Sequence, residues 1–177
     1  MSQPVGMDHV IELARTGTAE ALCEVYALFA RDVYSAAYLV TGSVADANDV
    51  VQDVFLGLSE AVRRYDGKGD FHRWLNQLTV RVALSRLRRR HRRYEVPLLD
   101  NAFPVIPDEE DAIINRIELE RVLEQLADHL RTVFVLKEIE GYSHDEIAQM
   151  LGISSRNAQV RLLRARRQIR RLLRVGR

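Results

Sequence analysis

The chain has a single cysteine, Cys23, so no disulfide can close within it. That fits a reducing compartment, where disulfides are rare. Cys23 falls at helical spacing with Ala19, Leu22 and Tyr26, which predicts a core face and an inert, buried thiol. Long apolar runs are missing, and the N-terminus lacks a signal-peptide pattern. A cytoplasmic protein with no membrane insertion is therefore expected. No stretch sustains the apolar–polar alternation of a strand, so no sheet is expected. The five histidines lack metal-ligand spacing, and no His or Lys adjoins the paired carboxylates. Neither a metal, a cofactor nor a catalytic residue is expected.

Proline is scarce and clustered. Three of the four, Pro97, Pro104 and Pro107, lie within a stretch that has no periodicity. Such density opposes helix and favours an extended linker. With 177 residues there is room for two small domains, and this composition places the boundaries at 1–93, 94–111 (linker) and 112–177. Helical patterns fill the rest: a short one from Asp8 to Arg15, then Thr18 to Thr41 and Val44 to Tyr65. A long one follows from Phe71 to Arg92. Gly42-Ser43 and Asp66-Gly-Lys-Gly-Asp70 read as connections. Helices resume from Ala112 to Asp128 and Leu130 to Ile139. The fold class is all-α: two small helical domains, a bundle and a helix-turn-helix, joined by a flexible linker.

Lysine is nearly absent, Lys68 and Lys137 being the only two, and the net charge is just +1. Charge is nevertheless sorted along the chain. Arg81 to Arg93 and Arg156 to Arg177 are basic, Asp108 to Asp111 is acidic, and no acidic residue follows Glu146. Segregation of this kind suggests surfaces for separate partners.

The last third carries a helix-turn-helix. Ser143 with Glu146 three residues on makes a capping box, Ile147, Ala148 and Leu151 form an apolar stripe, and Gly152 suits the turn. Ser154 or Ser155 then caps a second helix. Ala158, Leu162, Ala165, Ile169 and Leu172 line one face of it, and arginines cover much of the rest. A one-sided cationic helix points to phosphate, and a helix in a major groove can read base edges.

Two constellations mark the first half. Asp46, Asp49, Gln52 and Asp53 share one helix face. A plain solvated acidic face is the bland interpretation. The helix from Phe71 combines Phe71 and Trp74 with Arg73, Arg81, Arg86, Arg88, Arg89 and Arg90. Aromatic residues beside a cationic track are what single-stranded DNA binding uses, although a tryptophan is more often buried as core. The loop from Asp66 to Asp70 could shape a pocket for an extruded base.

These residues in this order resemble a family. The order is Asp-Ala-x-Asp-x-x-Gln-Asp-x-Phe, then Phe-x-x-Trp-Leu ending in Arg-x-Arg-Arg. A proline-bearing linker follows, then Tyr-Ser-x-x-Glu-Ile-Ala-x-x-Leu-Gly-Ile-Ser. From about residue 18 to 173 the chain is similar to bacterial RNA polymerase sigma factors of the extracytoplasmic-function (ECF) type, in the sigma-70 family. The resemblance implies a region 2 domain that binds the β′ subunit of polymerase core and opens the −10 element. It implies a region 4 domain that reads the −35 duplex and touches the β subunit. Asp49, Gln52, Asp53 and Phe55 match the core-binding motif. Phe71, Arg73, Trp74, Arg81, Ser85, Arg86, Arg88 and Arg89 match the −10 helix. Ser155, Arg156, Asn157, Gln159, Arg161 and Arg164 match the −35 recognition helix. Arg81 and Ser85 stand where the family often has Asn and Asn or Asp. The implied partners are RNA polymerase core, promoter DNA and an anti-sigma factor. Two rivals are weighed against this: a helix-turn-helix regulator that never joins polymerase, which leaves the acidic row and Trp74 helix unexplained, and a metal-dependent nuclease. The nuclease needs carboxylates converging from different elements.

Overall fold

The structure, a computed structural model, describes residues 7–66, 70–94 and 116–175. Among these residues every regular element is a helix. The contacts divide the chain into two units, Met1–Arg93 and Tyr94–Arg177.

The first unit starts with α1 (Met7–Thr16) and α2 (Ala19–Thr41). Thr18 lies in an extended conformation and its Oγ1 accepts a hydrogen bond from the Ala21 amide at 3.3 Å. A side-chain cap of this kind is worth about 1 kcal/mol. Gly42, at φ 62°, ends α2 in the left-handed conformation that a side chain resists. Ser43 caps α3 (Val44–Leu56) by accepting from the Asp46 amide at 3.3 Å. The single helix expected from Val44 to Tyr65 is broken. Gly57 ends α3, α4 spans only Leu58–Val62, and tight turns close at Arg64 and Tyr65. Glycine's poor helix propensity makes this the weak point of the run.

α5 (Phe71–Tyr94) completes the unit. Val25, Phe29, Val33, Ala37 and Val40 of α2 are buried, with Val50, Val54, Leu58 and Val62 opposite and Phe71, Leu75, Val80 and Leu84 from α5. Each large side chain removed from water contributes about 1.5–3 kcal/mol. The expected core face through Cys23 is corrected. Cys23 is exposed, Tyr26 keeps 49% of its surface in solvent and Leu28 keeps 59%. α2 buries the face through Ala21, Val25 and Phe29 instead, where Phe29 packs on Phe71 of α5, while Tyr26 only edges onto Phe55 of α3.

The second unit packs α6 (Arg116–Glu124), α7 (Asp128–Phe134) and α8 (His144–Leu151) against α9 (Ser155–Val175). α7 runs into a π-helical turn, Val135–Ile139, closed by the Glu140 amide donating to the Val135 carbonyl at 3.0 Å. Leu123, Leu126, Val133, Leu136, Ile147, Ala158, Leu162, Ala165 and Ile169 form its core. Most of the segment expected to be a linker (94–111), and the helix start expected at Ala112, lie outside the described residues.

Candidate partner-binding and nucleic-acid surfaces

Helical geometry puts Asp46, Asp49 and Asp53 in one row on α3, and the third dimension adds α5 to it. Arg86 reaches all three carboxylates: Nε to Asp46 Oδ1 at 3.4 Å, Nη1 to Asp53 Oδ2 at 3.4 Å, and Nη2 to Asp49 Oδ2. Arg90 Nη1 meets the other oxygen of Asp46 at 2.7 Å. Asp46 is therefore committed internally and only 20% exposed, whereas Asp49 and Asp53 stay 47% and 45% exposed. Gln52 is exposed beside them. Phe55 is a correction: it is buried beneath Tyr26, with ring centroids 4.8 Å apart, so it supports this face from inside. Next along the row is Leu56, an apolar side chain 81% exposed. Its position seven residues after Asp49 is legible in the sequence, but its exposure is not.

The arginines of α5 divide by face. Arg86 and Arg90, four residues apart, turn to α3. That removes Arg86 from the expected DNA track, since its guanidinium is already held by three carboxylates. Arg73, Gln77, Arg81 and Ser85 follow one another at four-residue steps, and Arg88 and Arg89 extend the row. Arg73, Arg81, Arg88 and Arg89 are exposed, and Ser85 is partly exposed. A cationic track thus remains: Arg73, Arg81 and Arg88 lie on the side of α5 away from the acids, and Ser85 and Arg89 flank Arg86.

Beside the start of that track is an open cavity of about 370 Å³, lined by Arg64, Tyr65, Asp66, Asp70, Arg73, Trp74 and Gln77. Asp70 Oδ1 accepts from the His72 amide at 3.0 Å, which fixes the first turn of α5. Phe71 is fully buried, so it cannot stack on a base, contrary to expectation. It sits among Phe29, Tyr65 and Trp74, with centroids 5.7, 5.6 and 5.4 Å away. Its work is to fix Trp74, which is only partly covered and lines the cavity. Tyr65 and Gln77 were not singled out in the sequence, because the cavity joins residues on both sides of a loop.

In the second unit the capping box forms as expected. The Ser143 amide donates to Glu146 Oε2 at 2.7 Å, and the Glu146 amide donates to Ser143 Oγ at 3.2 Å. Gly152, at φ 67°, makes the turn, and Ser154 caps α9 through the Asn157 amide at 3.1 Å. α9 buries Ala158, Leu162, Ala165 and Ile169. Arg156 and Gln159 are exposed, and Ser155, Asn157 and Arg164 are partly so. Arg161 is a correction. It is 6% exposed, on the flank of the buried stripe, and its head group cannot meet a base edge from there. Arg166 pairs with Glu138 at 2.8 Å, so part of the cationic helix serves packing onto the π-helical turn.

Among the described residues no group of His, Cys, Asp and Glu could hold a metal ion, and no helix is long and apolar enough to cross a membrane.

Comparison with known proteins bears on both units. Residues 25–93 match the family model described as Sigma-70 region 2, and residues 116–169 match Sigma-70, region 4. The RNA polymerase sigma factor CarQ of Myxococcus xanthus is 30% identical over 92% of this chain and 95% of its own. The ECF RNA polymerase sigma factor SigE of Mycolicibacterium smegmatis is 31% identical over 78% of this chain, which spans 56% of that protein. The same fold occurs in the sigma factor RpoE of Bartonella quintana, solved in complex with the anti-sigma factor NepR. There the TM-score is 0.55 at 20% identity, covering 87% of this chain and 97% of that one. The chain belongs to the sigma-70 family, as a sigma factor of the extracytoplasmic-function type.

Proposed function

We infer that this chain binds RNA polymerase core and directs promoter-specific initiation, using separate faces for the two kinds of partner. The observation that carries the reading is the division of α5. Its acid-facing arginines are spent inside the fold, and its outward row of Arg73, Arg81, Ser85, Arg88 and Arg89 runs on from the cavity beside Trp74. An exposed cationic row suits a phosphate backbone, and an open aromatic-lined cavity suits a base taken out of the stack. That pairing supports capture of the −10 element as single strand. Asp49, Gln52 and Asp53 carry the contact with the β′ subunit, where residual negative charge attracts arginines and repels DNA. In the second unit Arg156, Asn157, Gln159 and Arg164 meet the −35 duplex. Asn or Gln suits adenine, and Arg suits guanine. The chain supplies no catalytic group in this scheme; polymerase performs the chemistry, in the cytoplasm. An anti-sigma factor covering the same faces would hold the protein inactive.

The test is a reconstituted holoenzyme. Trp74→Ala should assemble with core as the parent does and bind the −35 duplex normally. It should open the promoter at least about fivefold more slowly, read by permanganate reactivity of thymines in the −10 element. Stacking of one base on an aromatic is worth about 1–3 kcal/mol, which sets that scale. Unchanged opening would remove the cavity from the reading. Failure of the parent chain to assemble with core would remove the reading itself.

A further inference from the structure

The cavity at Trp74 has two walls of different origin. Asp70, Arg73, Trp74 and Gln77 stand on or just before the first turns of α5, and the buried Phe71 anchors that wall in the core. Arg64, Tyr65 and Asp66 form the other wall, from the tight turns that follow α4. The Tyr65 ring joins the two, 5.2 Å from Trp74 and 5.6 Å from Phe71. The backbone of the second wall is held from a third element. Arg15, near the end of α1, donates from Nη2 to the Tyr65 carbonyl at 3.3 Å, and its Nη1 meets Glu12 Oε2 at 3.5 Å. α1 is itself fixed in place. Ile11 and Ala14 are buried, and the helix packs on α2 and α4. A Cβ on Gly17 would stand 3.2 Å from Ser59 Cβ, so the turn after α1 lies directly against α4.

We propose that Arg15 is a positioning residue for this cavity. By holding the Tyr65 carbonyl it sets the distance between the turn after α4 and Trp74, and with it the width of the slot that receives an extruded base. α1 precedes residues 25–93, which match the region 2 model, so this role lies outside that match. The inference deepens the reading of the cavity as a base-binding site and rests on it. The physical reason is that a helix fixes its own backbone, whereas the turn beyond its last residue depends on bonds from elsewhere. A charged donor on a carbonyl is stronger than a neutral one. Glu12 gives the guanidinium direction and little energy, since that pair is largely in solvent. A slot already set to the thickness of a base costs less to fill than one that must be ordered on binding.

The experiment uses the full chain, free and reconstituted with polymerase core. The parent is compared with Arg15→Met, Arg15→Lys, Trp74→Ala and the double variant Arg15→Met/Trp74→Ala. Methionine keeps an apolar stem and removes the donors, whereas lysine keeps a charged donor. Arg15→Met should bind core and −35 duplex as the parent does, and open the promoter at least about threefold more slowly. Arg15→Lys should recover most of that rate. In the free chain, acrylamide should quench Trp74, the only tryptophan, more readily in Arg15→Met than in the parent or Arg15→Lys. The double variant should open no more slowly than Trp74→Ala alone, because Arg15 acts through the cavity. Additive losses with unchanged quenching would make Arg15 a DNA contact in its own right and overturn the proposal. Parent-like opening by Arg15→Met, where Trp74→Ala is slow, would overturn it and leave the cavity standing. Loss of core binding along with opening would reduce Arg15 to a structural brace and overturn it too. Parent-like opening by Trp74→Ala would remove the cavity and the proposal together.

Discussion

Arg86 offers the sharpest quantitative test of how this chain distributes its charge. Its side chain is 29% exposed and contacts Asp46, Asp49 and Asp53, which are 20%, 47% and 45% exposed. Replacing it with glutamine keeps the length of the side chain and removes the cation. Three carboxylates on one helix face then lose their shared cation, and among the described residues Arg90 still pairs with one of them, Asp46. Exposed ion pairs contribute about 0–1 kcal/mol. Removing one partner of a buried pair costs about 3–5 kcal/mol. Arg86 lies between those cases, so a loss of about 2 kcal/mol is expected. Trp74 is the only tryptophan in the chain, so its fluorescence during urea unfolding reports on the first unit alone. For a unit of this size about 2 kcal/mol lowers the melting temperature by on the order of 10 °C. Arg81→Gln, on the exposed row, should change stability by no more than about 0.5 kcal/mol. Arg86→Gln and Asp49→Asn should be strongly non-additive, with a coupling of about 1 kcal/mol. If Arg86→Gln proved as harmless as Arg81→Gln, the brace between α3 and α5 would be unsupported. If it also weakened promoter binding without loss of stability, Arg86 would return to the DNA track.

Other outcomes follow from the second unit. Arg161→Ala should destabilise that unit by about 2 kcal/mol, because it removes a buried, partnered cation. Faster hydrogen exchange across α7 to α9 would show this, and a change at one base position with unaltered exchange would contradict it. Gln159→Ala should instead leave exchange alone and relax preference at one base pair by about 1–3 kcal/mol, measured by competition among duplex −35 variants. Equal losses on all sequences would make Gln159 a backbone contact. Ser143→Ala removes the Glu146 cap and should cost about 1 kcal/mol, seen as lower protection of the α8 amides. Unchanged protection would mean the cap adds nothing to α8.

The sequence alone determined what depends on neighbours within one turn of chain. Thr18, Ser43, Ser143 and Ser154 cap helices through amides three residues on, and Gly42 and Gly152 end them with positive φ, so each could be read from local spacing. The apolar stripe of α9 and the acidic row of α3 are periodic, and periodicity is local too. Motif order was equally legible, which is why the family and the all-α architecture could be expected before any coordinates. Only tertiary structure decided which faces meet. Spacing groups Cys23 with Tyr26 as readily as Ala21 with Val25, and nothing in α2 says which of the two faces the rest of the unit will cover. Spacing likewise puts Arg86 and Arg81 on different sides of α5 but does not say which side faces three aspartates. Phe71, Phe55 and Arg161 match their motifs and are nevertheless buried, because a motif fixes residue type while packing fixes access to solvent. The cavity at Trp74 joins residues from α5 and the turn before it, an adjacency that exists only once the chain has closed on itself.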